Sequence, residues 1–244
     1  MTRARIFTGI LLTLLSSSLA AGQLPRIAII IDDLGYQLDA GRRAIALPGP
    51  VACAILPGAP RARQLAHAAY DSGKEVLLHL PMQAVETEER VEETRMTLDM
   101  SRGNFAATFE TAFDSVPHAI GINNHRGSLL TRHPGHMQWL MEELLARDGL
   151  FFVDSFTTHE SVALQIASEA GVSAMKRDVF LDPDQSAATL QHEFERLKSL
   201  ATRRGQAVAI GHPYAATLAM LERELPQLAE QGFDLVAVSE LVAN

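Results

Sequence analysis

The stretch "RIAIIIDDLGY", residues 26 to 36, decides the fold. Five consecutive apolar residues, Ile27 to Ile31, run into two adjacent carboxylates and a glycine. A strand with one face in water alternates apolar and polar residues, whereas a strand covered on both faces is apolar throughout. The run therefore reads as a buried strand of a parallel sheet. Its end poses an electrostatic problem. Neighbouring anions repel, and burial makes each ion costlier. Either both carboxylates point into solvent where the strand ends, or something positive sits between them.

Similar runs recur along the chain. Strands are expected at 26–32, 51–57, 75–80, 119–124, 149–154, 207–211 and 233–238, with a shorter one near 172–176. Helical segments are expected between them at 60–72, 101–115, 134–147, 160–170, 184–204 and 214–231. In 134–147, Pro134 suits a first turn, and Met137, Leu140, Met141, Leu144 and Leu145 form one apolar stripe. Ser101 is placed to cap the helix that follows it. Strand–helix alternation with non-alternating strands predicts a parallel sheet covered by helices. Seven or eight such units suit a closed or nearly closed (β/α) barrel; a doubly wound open parallel sheet is the alternative. The segment 84–98, "AVETEERVEETRMTL", is strongly acidic and reads as a solvated insertion or a recognition loop.

The chain has 244 residues, 47% hydrophobic, enough for one sizeable core. Lys and Arg number 21 against 29 acids, which argues against a nucleic-acid partner, since a basic face is the usual footprint. Arg3 and Arg5 precede an apolar run from Ile6 to Leu15, and small residues follow at 18–21. This is the layout of a cleaved signal peptide over 1–21, leaving a single domain at 22–244. Cleavage removes two arginines and no acid, so 19 basic residues face 29 acids and the net charge becomes −10. A periplasmic or secreted protein with no stable membrane span is expected. The one cysteine, Cys53, excludes an intrachain disulfide and sits in an apolar run as a small buried residue. Nothing in the sequence sets an oligomeric state.

The polar outliers fall at the carboxyl ends of the expected strands, where parallel barrels carry their chemistry. These are Asp32 and Asp33, His79, the group Asn123, Asn124 and His125, then Asp154 with Ser155, and His212. Other histidines, at 67, 118, 133, 136 and 192, fall on helices or helix starts and are expected to be solvated. A dication between one aspartate and two imidazoles would remove the repulsion between Asp32 and Asp33. One carboxylate would bind the metal and the other would accept a proton from water. Asp plus two His with an open position is the usual layout of catalytic zinc. Asn123 and Asn124 would bond backbone at the strand end or contact a sugar hydroxyl. Arg177, Asp178 and Asp182 would form an ion-pair and turn cluster or support the metal site.

The segments "IIIDDLG", "VLLHLPMQ", "GINNHRGS", "FFVDSFT", "KRDVFLD" and "IAIGHPY" together resemble the divergent polysaccharide deacetylase family, from about Arg26 to Val242. The resemblance implies a distorted (β/α) barrel of six to eight parallel strands and a divalent metal, most often zinc. It implies Asp32 as catalytic base, Asp33 and His79 as metal ligands and His212 as the late catalytic histidine. Asp154 joins the catalytic set at its strand end. The position of the second metal-binding histidine holds Gln83, and His125 from the next strand end fills the vacancy. Arg126 or Arg177 takes the place of the superfamily's arginine. Gln83, Asn123, Asn124, Arg126 and Arg177 are then expected around the substrate. The implied function is removal of acetyl groups from an envelope carbohydrate; the alternative is a metal-containing glycan-binding or regulatory protein on the same scaffold.

Overall fold

The apolar run from Ile27 to Ile31 lies within strand β1, Arg26–Leu34, and all five residues are fully buried. The computed structural model describes residues 23–86 and 92–242, so the expected signal segment lies outside the described residues. After β1 come α1 (Leu38–Ile45), β2 (Ala52–Ile55), α2 (Ala62–Asp71), β3 (Val76–Met82), α3 (Arg102–Ser115), β4 (Ala119–Arg126), α4 (Pro134–Leu145) and β5 (Phe151–Asp154). The chain continues through α5 (Ala163–Ala170), β6 (Ala174–Lys176), β7 (Val179–Phe180), α6 (Ala187–Arg204), β8 (Gln206–Gly211), α7 (Ala215–Glu224), β9 (Asp234–Leu235) and α8 (Val238–Val242).

Every strand pairing is parallel, in the order β6-β5-β4-β3-β2-β1-β8-β7, with β9 beside the start of β1. The two ends of that path, β6 and β7, are separated by only Arg177 and Asp178. The Arg177 amide donates to the Asp154 carbonyl in β5, and the Asp178 amide donates to the Val208 carbonyl in β8. One short segment thus holds both ends of the path, and the sheet must curl back on itself. This is the barrel-like arrangement of eight parallel strands and not the doubly wound open sheet.

The strands divide the apolar residues between two clusters by their alternation. Ile27, Ile29 and Ile31 join the large cluster under the helices. Ala28 and Ile30 join a smaller one with Ala52, Ala54, Leu77, Phe151, Val153, Val208, Ile210 and Val236 inside the curled sheet. Residues that continue this inner series past the strand ends face the mouth of the barrel. The alternation therefore selects the side chains of the site.

Helix α1 and strand β7 have no forerunner in the expectations. Helix α1 is eight residues long and contains Gly41, which lowers its helical signal. A Cβ at Gly41 would lie 2.5 Å from Leu65 of α2, so the glycine serves close packing of the two helices. Strand β7 has two residues, too few for a pattern. The expected helix at 214–231 ends as α7 at Glu224 and tightens into a 3₁₀ turn over Leu225–Gln227, because Pro226 has no amide to donate. Ser101 caps α3 by accepting from the Asn104 amide at 3.2 Å.

Cys53 is fully buried in β2, and burial pushes its thiol up to about 12. The folded protein should give no reaction with Ellman's reagent at neutral pH and one thiol per chain in guanidinium, because only the thiolate attacks.

Candidate metal centre

Asp32 follows Ala28 and Ile30 in the inner series, so its side chain enters the barrel mouth. Asp33 should by the same alternation point outward. It does not, because β1 breaks its regular geometry there. Ile31 pairs with Cys53 and Leu34 with Ile55, so three steps along β1 match two along β2. This extra residue is a β-bulge. Asp33 takes up the turn with a left-handed φ of 57°, and both carboxylates come to the same rim. Arg126 and Phe156, at the ends of β4 and β5, share that conformation with φ of 57° and 51°. Three of the four described non-glycine residues with positive φ therefore sit on this rim, where backbone strain is commonly stored for function.

His79 continues the inner series of β3 after Leu77, and His125 that of β4 after Asn123. Asp33 Oδ1 lies 3.2 Å from His79 Nε2 and 2.9 Å from His125 Nδ1, and the two nitrogens are 3.1 Å apart. Asp33 Oδ1 is buried yet aligned for a hydrogen bond with neither ring. Three atoms that can each offer a lone pair thus face one small space. Donors about 2.0–2.2 Å from a tetrahedral ion stand roughly 3.3–3.6 Å from each other, slightly wider than this triangle. The residues fit a divalent metal, to which His79 would offer Nε2 and His125 Nδ1. The Asn123 carbonyl oxygen, 2.9 Å from His79 Nδ1, accepts the proton of that nitrogen and leaves Nε2 free to ligate.

Asn123 also donates to Asp32 Oδ1 at 2.7 Å and to Ser155 Oγ at 3.3 Å. Fully buried, its side chain links His79 and Asp32. Asp32 Oδ2 stands 3.6 Å from His79 Nε2. Burial raises the Asp32 pKa, against the pull of His79 and His212. Burial also opposes ionisation of Asp33, but the two imidazoles beside it outweigh this and hold its carboxyl well below the usual range. The adjacent carboxylates are thus driven in opposite directions.

His212 continues β8 after Val208 and Ile210. Its Nε2 is 3.8 Å from Asp33 Oδ2, whereas His125 approaches the other oxygen, Oδ1. Asp182 holds it twice, accepting from its amide at 2.7 Å and pairing with Nδ1 at 2.8 Å, while Thr217 donates to the same carboxylate. Burial works against the charged imidazole, yet Asp182, Asp32 and Asp33 together raise its pKa to about 9. Asp182 is therefore the support of His212, whereas Asp178 clamps Arg204 and the Val208 amide. Arg177 reaches the rim and donates to the carbonyls of Ser155 and Phe156 at 2.8 and 3.1 Å.

Two expected site residues are not brought in. Asp154 falls in the outer series after Phe152, and its carboxylate accepts from the Phe156 amide and from Ser161 Oγ. It shapes the loop after β5 and lines no part of the cavity around the cluster. Gln83 accepts from the Leu98 amide through its side chain, and its backbone bonds Met96, Leu129 and Leu130. Asn124 lines the cavity, with its amide group donating to the Arg126 carbonyl and its oxygen accepting from the Ser155 amide. The cavity holds about 400 Å³ and also includes Arg126, Phe156, Arg177 and Phe180. Away from the site, His67 and His118 bond each other at 2.9 Å, and His136 packs on Trp139.

In the described part of the acidic segment Val85, Glu86 and Glu93 are exposed, but the stretch around Met96 packs against the barrel. Met96 is fully buried and bridges to Met82 at the end of β3. Glu92, only 10% exposed, brings Oε1 to 3.8 Å from His125 Nε2. Residues 87–91 lie outside the described residues. A carboxylate behind a ligating imidazole orients it. Glu92→Gln should weaken zinc binding by about tenfold or more, measured by competition with a chromophoric chelator, while Glu86→Gln should leave it unchanged.

The model of a family described as divergent polysaccharide deacetylase matches residues 29–242. A curated relative, the uncharacterised protein YibQ of Escherichia coli K12, is 39% identical over 93% of this chain and 70% of its own length. Among solved structures, an uncharacterised protein from Agrobacterium tumefaciens C58 superimposes with a TM-score of 0.85 over 91% of both chains at 20% identity. The peptidoglycan deacetylase PdaC from Bacillus subtilis gives 0.52 at 13% identity, over 90% of this chain and 92% of its own. A mutant of a family 4 carbohydrate esterase pseudoenzyme with restored activity gives the same score and identity, over 90% of this chain and 68% of its own. At these identities the structural matches establish the fold alone.

Proposed function

The chain belongs to the divergent polysaccharide deacetylase family, and from that premise we propose that it is an exported, zinc-dependent hydrolase that removes acetyl groups from an envelope polysaccharide or amino sugar. One observation carries this reading. Asp33, His79 and His125 converge as a ligand set, while Asp32 and His212 border the same space with different partners. A purely structural site would consume its neighbouring acid and base as further ligands.

A divalent ion held by Asp33, His79 and His125 would polarise a carbonyl and make water acidic near neutral pH. Asp32, held by the Asn123 amide, would take the proton from the attacking water. His212, with Nδ1 anchored on Asp182, presents Nε2 toward the cluster to protonate the departing amine. The carbon–nitrogen bond breaks, a carbon–oxygen bond forms, and acetate and free amine result. Arg126 and Arg177 line this cavity and would contact the substrate there. Export is supported by Arg3, Arg5 and the apolar run after them. Among the described residues no helix is long and apolar enough to cross a membrane.

Purified protein lacking residues 1–21 should bind one zinc and release acetate from acetylated envelope glycans. Zinc bound at one equivalent with no acetate from N-acetylated or O-acetylated glycans would instead favour a glycan-binding protein on this fold.

A further inference from the structure

Of the four described non-glycine residues with positive φ, the one away from the rim is His118, with φ of 65°. It precedes β4 at the amino end of the sheet, whereas His125 lies near the other end of that strand. At about 3.3 Å per strand residue the two are separated by roughly 23 Å. His67 of α2 brings Nδ1 to 2.9 Å from His118 Nε2. The two rings meet edge to face, with centroids 4.9 Å apart and planes at 73°. The candidate ligands His79 and His125 have centroids 4.9 Å apart and planes at 72°, with Nε2 of one and Nδ1 of the other at 3.1 Å. The outer pair thus repeats the mutual geometry of the inner one. Tyr70 lies flat against the His118 ring, 4.0 Å away with planes at 8°, and holds its orientation. The backbone leaves its common conformations to put that ring there.

The surroundings of the outer pair differ from those of the barrel mouth. Both histidines are exposed, and among the described residues no carboxylate or thiol joins them within ligand reach. Imidazoles suit copper and nickel as well as zinc, and affinity is greatest for copper(II). Two nitrogens about 2.0–2.1 Å from one ion stand roughly 2.8–3.0 Å apart at the right angle of a square-planar site, and wider at a tetrahedral angle. The observed 2.9 Å matches the right angle. In the metal-free pair one nitrogen donates to the other. A change of tautomer in the donor ring frees both lone pairs, and the pair loses no proton.

We propose that His67 and His118 form a second metal site, on the outer surface at the amino end of the barrel, which takes one copper(II) ion with water in the remaining positions. The site uses no residue of the deacetylase reading and stands or falls without it. The test titrates zinc-loaded protein lacking residues 1–21 with copper(II) chloride. Bound copper and zinc are measured after gel filtration, and electron paramagnetic resonance reports the number of nitrogens on the copper. One equivalent of copper with two nitrogens should bind while zinc stays in place. His67→Gln and His118→Gln should each abolish that equivalent. Copper should also raise the thermal midpoint of the parent protein and not of the variants, because an ion that joins α2 to the start of β4 binds only the folded chain. Should His118→Gln fail to fold, His67→Gln decides alone, since glutamine suits an exposed helical position. No bound copper, copper taken up only as zinc is released, a single-nitrogen signal, or copper retained by His67→Gln overturns the site.

Discussion

Asp33→Asn and His125→Ala should each lose most of the bound zinc, while Asp32→Asn keeps it. The difference follows from the triangle formed by Asp33 Oδ1, His79 Nε2 and His125 Nδ1, which Asp32 borders without joining. An asparagine at 33 replaces an anionic ligand with a neutral amide, a poor exchange for a divalent ion. An alanine at 125 leaves two protein ligands where catalytic zinc usually has three. Zinc measured by atomic absorption after gel filtration checks all three variants. Retention of one equivalent in His125→Ala, with loss in His79→Ala, would show that β4 does not supply the third ligand. Equal losses in Asp32→Asn and Asp33→Asn would refute the division between base and ligand.

The second large effect falls on turnover. Asp32→Asn should lower kcat by on the order of 10²–10⁴, the usual reach of general acid–base assistance, with zinc content and thermal midpoint preserved. The buried carboxylate is held by an amide donor from Asn123 at 2.7 Å, and an asparagine of the same shape fits that space. His212→Ala should show a comparable loss without release of metal. Steady-state acetate release on the best glycan found decides both. A change confined to KM would place Asp32 in binding and not in proton transfer.

The barrel was legible because both faces of the strands are apolar, so their runs stand out from the helices around them. Most of the rim was legible because polar residues end those runs. The same doubled apolarity hid which end residues point inward. Asp154 and Ser155 end one strand together, and only the membership of Phe152 and Val153 in different clusters shows that Asp154 faces away. Asp33 escapes even that rule, since its place depends on a bulge and a left-handed φ that local propensity does not announce. Asp182 was narrowed to two roles, and Thr217 lies 35 residues from it in sequence, so no spacing linked them. Glu92 was submerged among acids of similar appearance. It is distinguished by Met96, whose burial draws the segment against β3.

The bulge at Asp33 has one more consequence. A proton acceptor and a metal ligand that arrive from different strands can drift apart as the scaffold breathes. In the proposed division of roles they are consecutive residues, and a single planar peptide joins their α-carbons. The covalent framework fixes the distance between their α-carbons, and the bulge with its left-handed φ turns both carboxylates to one rim. Loops around the rim can lengthen, shorten or exchange residues while acceptor and ligand keep step.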